Sequence, residues 1–163
     1  MVLREIFKVL WIYPVDPIRQ RAVELYVYIF GFSSDPIDTI IVATGILHSE
    51  NFGPEKSIKE IDFTTMTKVM GVNTIGPALI GRYFIPLLRK DAKSVLAFLS
   101  ARVGSISDNK LGGWYSYRAS KTALNQIIKN FSIELKRTNP MLNIQKAHLS
   151  ILEIKDVNVM PSF

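Results

Sequence analysis

The sequence predicts an α/β domain built on a mainly parallel sheet, and three observations carry that prediction. Short β-branched apolar runs recur along the chain, longer stretches with helical spacing lie between them, and the breaks fall on Gly, Pro, Asn and Asp. Strands that alternate with helices pair in parallel, because each helix carries the chain back to start the next strand in the same direction.

Val9–Val15 is an apolar run ending at Asp16-Pro17, read as a buried strand and a turn. Ile18–Phe30 carries Val23, Leu25, Tyr26 and Ile29 at helical spacing, and Gly31–Pro36 breaks it. Ile37–Ala43 is a second continuous apolar run, expected as a parallel strand covered on both faces. A loop rich in Gly, Pro and charge spans His48–Glu60. Asp62 or Thr64 then caps a long helix running to about Arg89, with a bend expected at Gly76-Pro77. Ser94–Ser100 is a third strand, and Ala101–Trp114 a polar, Gly-containing loop. The next helix keeps a stripe of Tyr117, Lys121, Leu124, Ile128, Phe131 and Leu135 until Thr138-Asn139-Pro140 stops it. Leu142–Leu149 reads as a fourth strand.

With 163 residues the chain is one domain's worth, long enough for one sizeable core. Its hydrophobic content of 48% and mean hydropathy of +0.18 are rich for a small domain. That richness implies either surface covered by partners or a larger fold of which part is missing. There is no Cys, hence no disulfide and no thiolate metal site, and no metal is expected. The longest apolar runs, Val27–Phe30 and Ile40–Ala43, are far too short to span a bilayer. Arg4, Glu5 and Lys8 interrupt the N-terminal apolar residues, which argues against a secretory signal and for a cytoplasmic protein. The net charge of +6 is dispersed among acids, the pattern of a solvated surface, so no nucleic-acid partner is expected.

The chemistry concentrates in Tyr117-Arg118-Ala119-Ser120-Lys121. Four residues apart at the head of a helix, Tyr117 and Lys121 share one face. An ammonium beside a phenol favours the phenolate, so the pair is suited to proton transfer nearer neutral pH. The spacing alone is common, and the alternative is an exposed Tyr with a solvated Lys. The surrounding residues decide between them.

Those residues are Leu99-Ser100-Ala101-Arg102-Val103-Gly104-Ser105, a polar loop, and Trp114 through Asn125. Together they resemble the short-chain dehydrogenase/reductases, and within them the C-factor-like and sniffer-type carbonyl reductases. Gly71-Val72-Asn73-Thr74-Ile75-Gly76-Pro77 is similar to the family's helix bearing a catalytic Asn. Tyr13-Pro14-Val15-Asp16 is similar to the strand end whose Asp contacts adenine, and Gly45 keeps the tight turn of the family's Asn-Asn-Ala-Gly segment. The resemblance implies a doubly wound, Rossmann-like fold that binds NAD or NADP across the strand ends and exchanges hydride with a small carbonyl or alcohol substrate. It implies Tyr117 as proton donor or acceptor, Lys121 as its modulator and ribose ligand, and Asn73 as the holder of a relay water. The rival reading of Asn73 is satisfaction of backbone groups at a helix bend, and that of Lys121 is snorkelling from the helix edge.

Four departures qualify the match. No Gly-x-x-x-Gly-x-Gly turn precedes Tyr13, so about 50–60 residues of strand, turn and helix are expected to be missing and the sheet to be incomplete at the N-terminus. The Asn-Asn-Ala-Gly segment reads Val42-Ala43-Thr44-Gly45. The family's Ser falls on Ala101, leaving Ser105 as the stand-in for polarising a carbonyl, since Ser100 faces the other side of its strand. The Pro-Gly after the last strand reads Leu149-Ser150, residues 150–163 form a divergent tail, and His148 reads as a strand-end His. The expectation is a single truncated domain over 1–163 with impaired activity. The alternative is a degenerate, non-catalytic relative with an interaction or structural role. Ala119, Ala123 and Ile127 make a second stripe on the 117–137 helix, where a homodimer could form or where the chain packs on itself.

Overall fold

The computed structural model describes residues 37–148. Within them three strands form one parallel sheet in the order β1 (Thr39–Val42), β2 (Ser94–Ser100), β3 (Leu142–His148). Thr39 pairs with Val95 and Val42 with Phe98, while Ser94 pairs with Leu142 and Ser100 with His148. The expected strands at Val9–Val15, the helix at Ile18–Phe30 and the tail from Leu149 lie outside the described residues.

Helix α1 (Phe63–Met70) begins at Asp62, not Thr64: the Asp62 carboxylate accepts the Thr65 N–H at 2.7 Å. That bond holds the Asp62 carboxyl below its ordinary pKa. The helical axis then continues through a wide turn at Gly71–Ile75 into α2 (Gly76–Phe84) and a 3-10 turn at Ile85–Leu87. Irregularity was expected at Gly76-Pro77 and occurs one turn earlier. Pro77 has no N–H to donate four residues back, and the Gly76 N–H reaches the Gly71 carbonyl, five residues back. Proline thus acts on the turn that precedes it.

Helix α3 (Tyr115–Thr138) is the longest element and ends where Asn139 donates its N–H to the Leu135 carbonyl at 2.7 Å. Leu124 and Ile128 of α3 pack with Ile80, Phe84 and Leu88 and with Ile40, Val42, Leu96 and Phe98 of the sheet. This core fixes α3 across the strands. Among the described residues β1 packs on one face: Ile40 and Val42 are buried while Ile41 is 44% exposed. Pleating sends alternate residues to opposite faces, and the described residues pack the Ile40 and Val42 face.

A candidate active site at the carboxyl ends of the strands

The carboxyl ends of β1 and β2 bring the loop at 43–46, the wide turn at 71–75 and the first turns of α3 together. Asn73 is the clasp. It is fully buried, and its amide nitrogen donates to the Ile46 carbonyl at 2.9 Å and to the Ser120 hydroxyl at 3.0 Å. Its amide oxygen accepts the Ile46 N–H at 2.7 Å. The Ser120 hydroxyl donates in turn to the Tyr117 carbonyl at 2.8 Å, and Thr74 donates its hydroxyl to the Ser120 carbonyl at 2.8 Å. Three separate parts of the chain are locked to one another at this point.

Lys121 stands beside the clasp, 2% exposed, with its ammonium donating to the Leu99 carbonyl at 2.9 Å. The same nitrogen lies 5.9 Å from the centroid of the Tyr117 ring, so the two side chains share one helical face as the spacing requires. Burial disfavours the charged amine and pulls its pKa down to about 8. Tyr117 is half-buried, and burial pushes its pKa above the ordinary 10.0. The sequence had suggested the reverse for Tyr117. The correction is physical: the phenol loses water on burial, while the ammonium is bonded to Leu99 instead of to the phenol oxygen.

Gly104 lets the loop after β2 lie on α3, since a Cβ there would stand 2.9 Å from the Lys121 carbonyl carbon and 2.9 Å from the Asn125 amide nitrogen. Thr122 and Asn125 donate to the Gly104 carbonyl at 2.9 and 3.3 Å. Ser105 follows immediately, and its hydroxyl lies 3.3 Å from that of Ser107. Ser100 is buried and donates to the Asn125 amide oxygen at 2.7 Å, a structural tie that agrees with its side of the strand. Asp16 lies outside the described residues. The structure therefore gathers Tyr117, Lys121, Asn73 and Gly45, with Ser105 following the Gly104 backbone that rests on Lys121.

Sequence reasoning missed Ser120 and Glu55. Ser120 lies inside the Tyr117–Lys121 motif, and a polar residue directly preceding the Lys was the available signal. Glu55, 3% exposed, lies in a charged loop and gave none. Among the described residues no cluster of His, Cys, Asp and Glu could hold a metal, and no helix is long and apolar enough to cross a membrane.

A NAD or NADP cofactor is tested by what surrounds Lys121. The Thr44 hydroxyl oxygen is buried with no hydrogen-bond partner among the described residues. At Gly45 a Cβ would stand 3.3 Å from the Lys121 nitrogen and 3.7 Å from the Asn73 amide oxygen. An orphan hydroxyl, a glycine-floored approach and an ammonium with donors to spare fit a polyhydroxylated ligand such as a ribose.

A parallel sheet flanked by helices, with a Tyr–Lys pair and a clasping Asn at its carboxyl edge, is a Rossmann-like α/β arrangement. The chain belongs to the short chain dehydrogenase family, whose sequence pattern matches residues 8–153. It is 31% identical over 101 residues to the C-signal protein of Myxococcus xanthus, covering 62% of this chain and 58% of that protein. It is 30% identical over 123 residues to 1-hydroxy-2-glutathionyl-2-methyl-3-butene dehydrogenase of Rhodococcus sp. (strain AD45), covering 76% of this chain and 51% of the relative. The chain thus spans little more than half the length of these curated relatives. Its fold resembles the carbonyl reductase Sniffer of D. melanogaster with a TM-score of 0.66 and 24% identity, over 77% of this chain and 54% of that one.

Proposed function

We propose that this chain carries the proton-transfer centre of an NAD(P)-dependent carbonyl reductase or alcohol dehydrogenase of the short-chain type. The observation that carries the reading is the Tyr117–Lys121 pair held on one face of α3, with Asn73 and Ser120 bolting that helix turn to the loop after β1. Family membership and the names of the relatives support the reaction class; the residues support the roles.

Tyr117 gives its phenolic proton to the oxygen of a small carbonyl substrate, and recovers it in the reverse direction. Its raised pKa keeps that proton in place at neutral pH, which suits the reductive direction. Lys121, with a pKa of about 8, is mostly an ammonium at neutral pH and stabilises the phenolate left behind. Lys121, Tyr117, Thr44 and Gly45 hold the ribose end of the cofactor, and Asp16 its adenine. When bound, the nicotinamide supplies or accepts the hydride. The Asn73 carbonyl, deprived by Pro77 of its ordinary helical donor, has capacity to hold a water that passes protons to Lys121. Ser105, next to the Gly104 backbone that rests on Lys121, is assigned to polarise the substrate carbonyl.

The test is NADPH- and NADH-dependent reduction of a panel of small aldehydes and ketones, with cofactor binding followed by thermal shift. Turnover that falls by about 100-fold or more in Tyr117→Phe is the expected result. No turnover and no thermal shift with either nucleotide at millimolar concentration overturns the reading and leaves a non-catalytic relative.

A further inference from the structure

Glu55 is far from the motif in sequence but not in space. It is 3% exposed, an unusual place for a carboxylate unless bonded. Both carboxylate oxygens lie 3.3 Å from the Ser116 N–H, and one accepts the Ser116 hydroxyl as well. Its backbone carbonyl accepts the Trp114 N–H at 2.5 Å. Ser116 is the second residue of α3 and the one directly before Tyr117. Trp114, at the N-cap position, has no side-chain cap bond to offer. The first N–H groups of a helix lack internal partners, and a carboxylate is favoured at that positive end. Glu55 therefore supplies, from a loop 61 positions away, the cap that the local sequence does not.

The second observation is backbone strain at the same place. Gly112, Gly113 and Trp114 have φ of 67°, 63° and 53°, three successive left-handed residues. For the two glycines this is free, but for Trp114, which carries a Cβ, it is strained. Such a conformation persists only where its surroundings impose it. Here they do so from both sides. Glu55 holds the Trp114 N–H, a Cβ at Gly113 would stand 3.2 Å from the Glu55 carbonyl oxygen, and the Arg118 side chain donates to the Gly113 carbonyl at 3.1 Å. The Glu55 segment is itself closed, with the Lys56 N–H bonded to the Glu60 carboxylate at 3.0 Å. So held, the Trp114 ring meets Tyr117 edge-on, with centroids 6.3 Å apart and planes at 72°.

We infer that Glu55 is a positioning residue for Tyr117: it caps α3 at Ser116 and imposes the left-handed Trp114, and the two together aim the Tyr117 ring. This rests on the proposed role of Tyr117 for its functional consequence but not for its geometry. Glu55 acts through Ser116 and Trp114, the residues it bonds.

The test uses the full chain in a Trp11→Phe background, so that Trp114 is the single indole, and reads near-UV circular dichroism together with steady-state kinetics. Glu55→Ala is expected to halve, at least roughly, the Trp114 dichroism and to lower kcat about tenfold, with KM and NADPH affinity within about twofold. Glu55→Gln keeps an acceptor for both Ser116 donors and is expected to restore each readout to within about threefold of the parent. Where Glu55→Ala fails to fold, Ser116→Ala removes the hydroxyl bond alone and should move both readouts the same way by less. Unchanged dichroism in a folded Glu55→Ala protein overturns the inference. So does a rise in KM without a fall in kcat, or a Glu55→Gln protein no better than Glu55→Ala. If the parent shows no turnover, the catalytic reading of Tyr117 has failed, and the dichroism comparison alone still decides whether Glu55 positions the ring.

Discussion

Replacing Lys121 with Met should change how the protein's stability depends on pH, and the size of the change follows from one burial. An unfolded Lys has a pKa of 10.5, whereas burial in the fold brings Lys121 to about 8. Between those values the unfolded chain binds the proton more tightly than the folded one, so stability rises with pH. Below the folded pKa the whole penalty of burying the ammonium is present; it is relieved as pH climbs through about 8 toward 10.5. At 1.36 kcal/mol per unit, allowing for partial titration at each end, the relief between pH 7 and pH 10 is about 2–3 kcal/mol. Tyr117 works the other way above its ordinary 10.0, because the unfolded chain then loses its phenolic proton first, so the measurement stops at pH 10. Met is nearly isosteric and cannot titrate, and the lost bond to the Leu99 carbonyl is a constant offset. The assay is urea unfolding of wild type and Lys121→Met at four pH values, compared as a difference so that other groups cancel. Wild type should gain on the Met protein by about 2–3 kcal/mol from pH 7 to pH 10. A difference that is flat to within about 0.5 kcal/mol, or that runs the other way, would refute the burial argument.

Asn73→Ala removes three hydrogen bonds and strands the Ile46 backbone pair, and should lower unfolding stability by about 2–4 kcal/mol in urea titration, whatever its effect on turnover. Gly81→Ala places a methyl 2.5 Å from the Phe131 ring, and a loss of about 1–3 kcal/mol is expected by thermal or urea unfolding. In the proposed reductive reaction, kcat/KM should fall as pH rises through about 8, because the Lys121 ammonium is lost there, and Lys121→Met should abolish that limb of a pH–rate profile. Ser105→Ala should lower kcat about tenfold or more while Ser107→Ala leaves it within about twofold; equal effects would remove Ser105 from its assigned role.

The order and direction of the described elements were legible in the residues because each is a local decision. Asp62 before Phe63 starts a helix, Asn139-Pro140 ends one, and the run at Ser94–Ser100 cannot be amphipathic at helical period. The pairing of Tyr117 with Lys121 was legible for the same reason, since both ride one helix. Less visible was the position of the irregular turn at Gly71–Ile75, because a proline disturbs the turn before it and not its own. That the Ser105 hydroxyl lies beside Ser107 is set by the course of the loop, which residue type does not encode.

The sequence by itself determined the family, the strand and helix order and the helical face shared by Tyr117 and Lys121, all properties of residue type and short spacing. Tertiary structure alone decided the protonation balance and the support of that face. Tyr117 is pushed up and Lys121 down because packing removes water from both, and no spacing rule encodes how much water a fold excludes. Asn73 meets Ile46 and Ser120, and Glu55 meets Ser116, across separations that the chain closes only by folding.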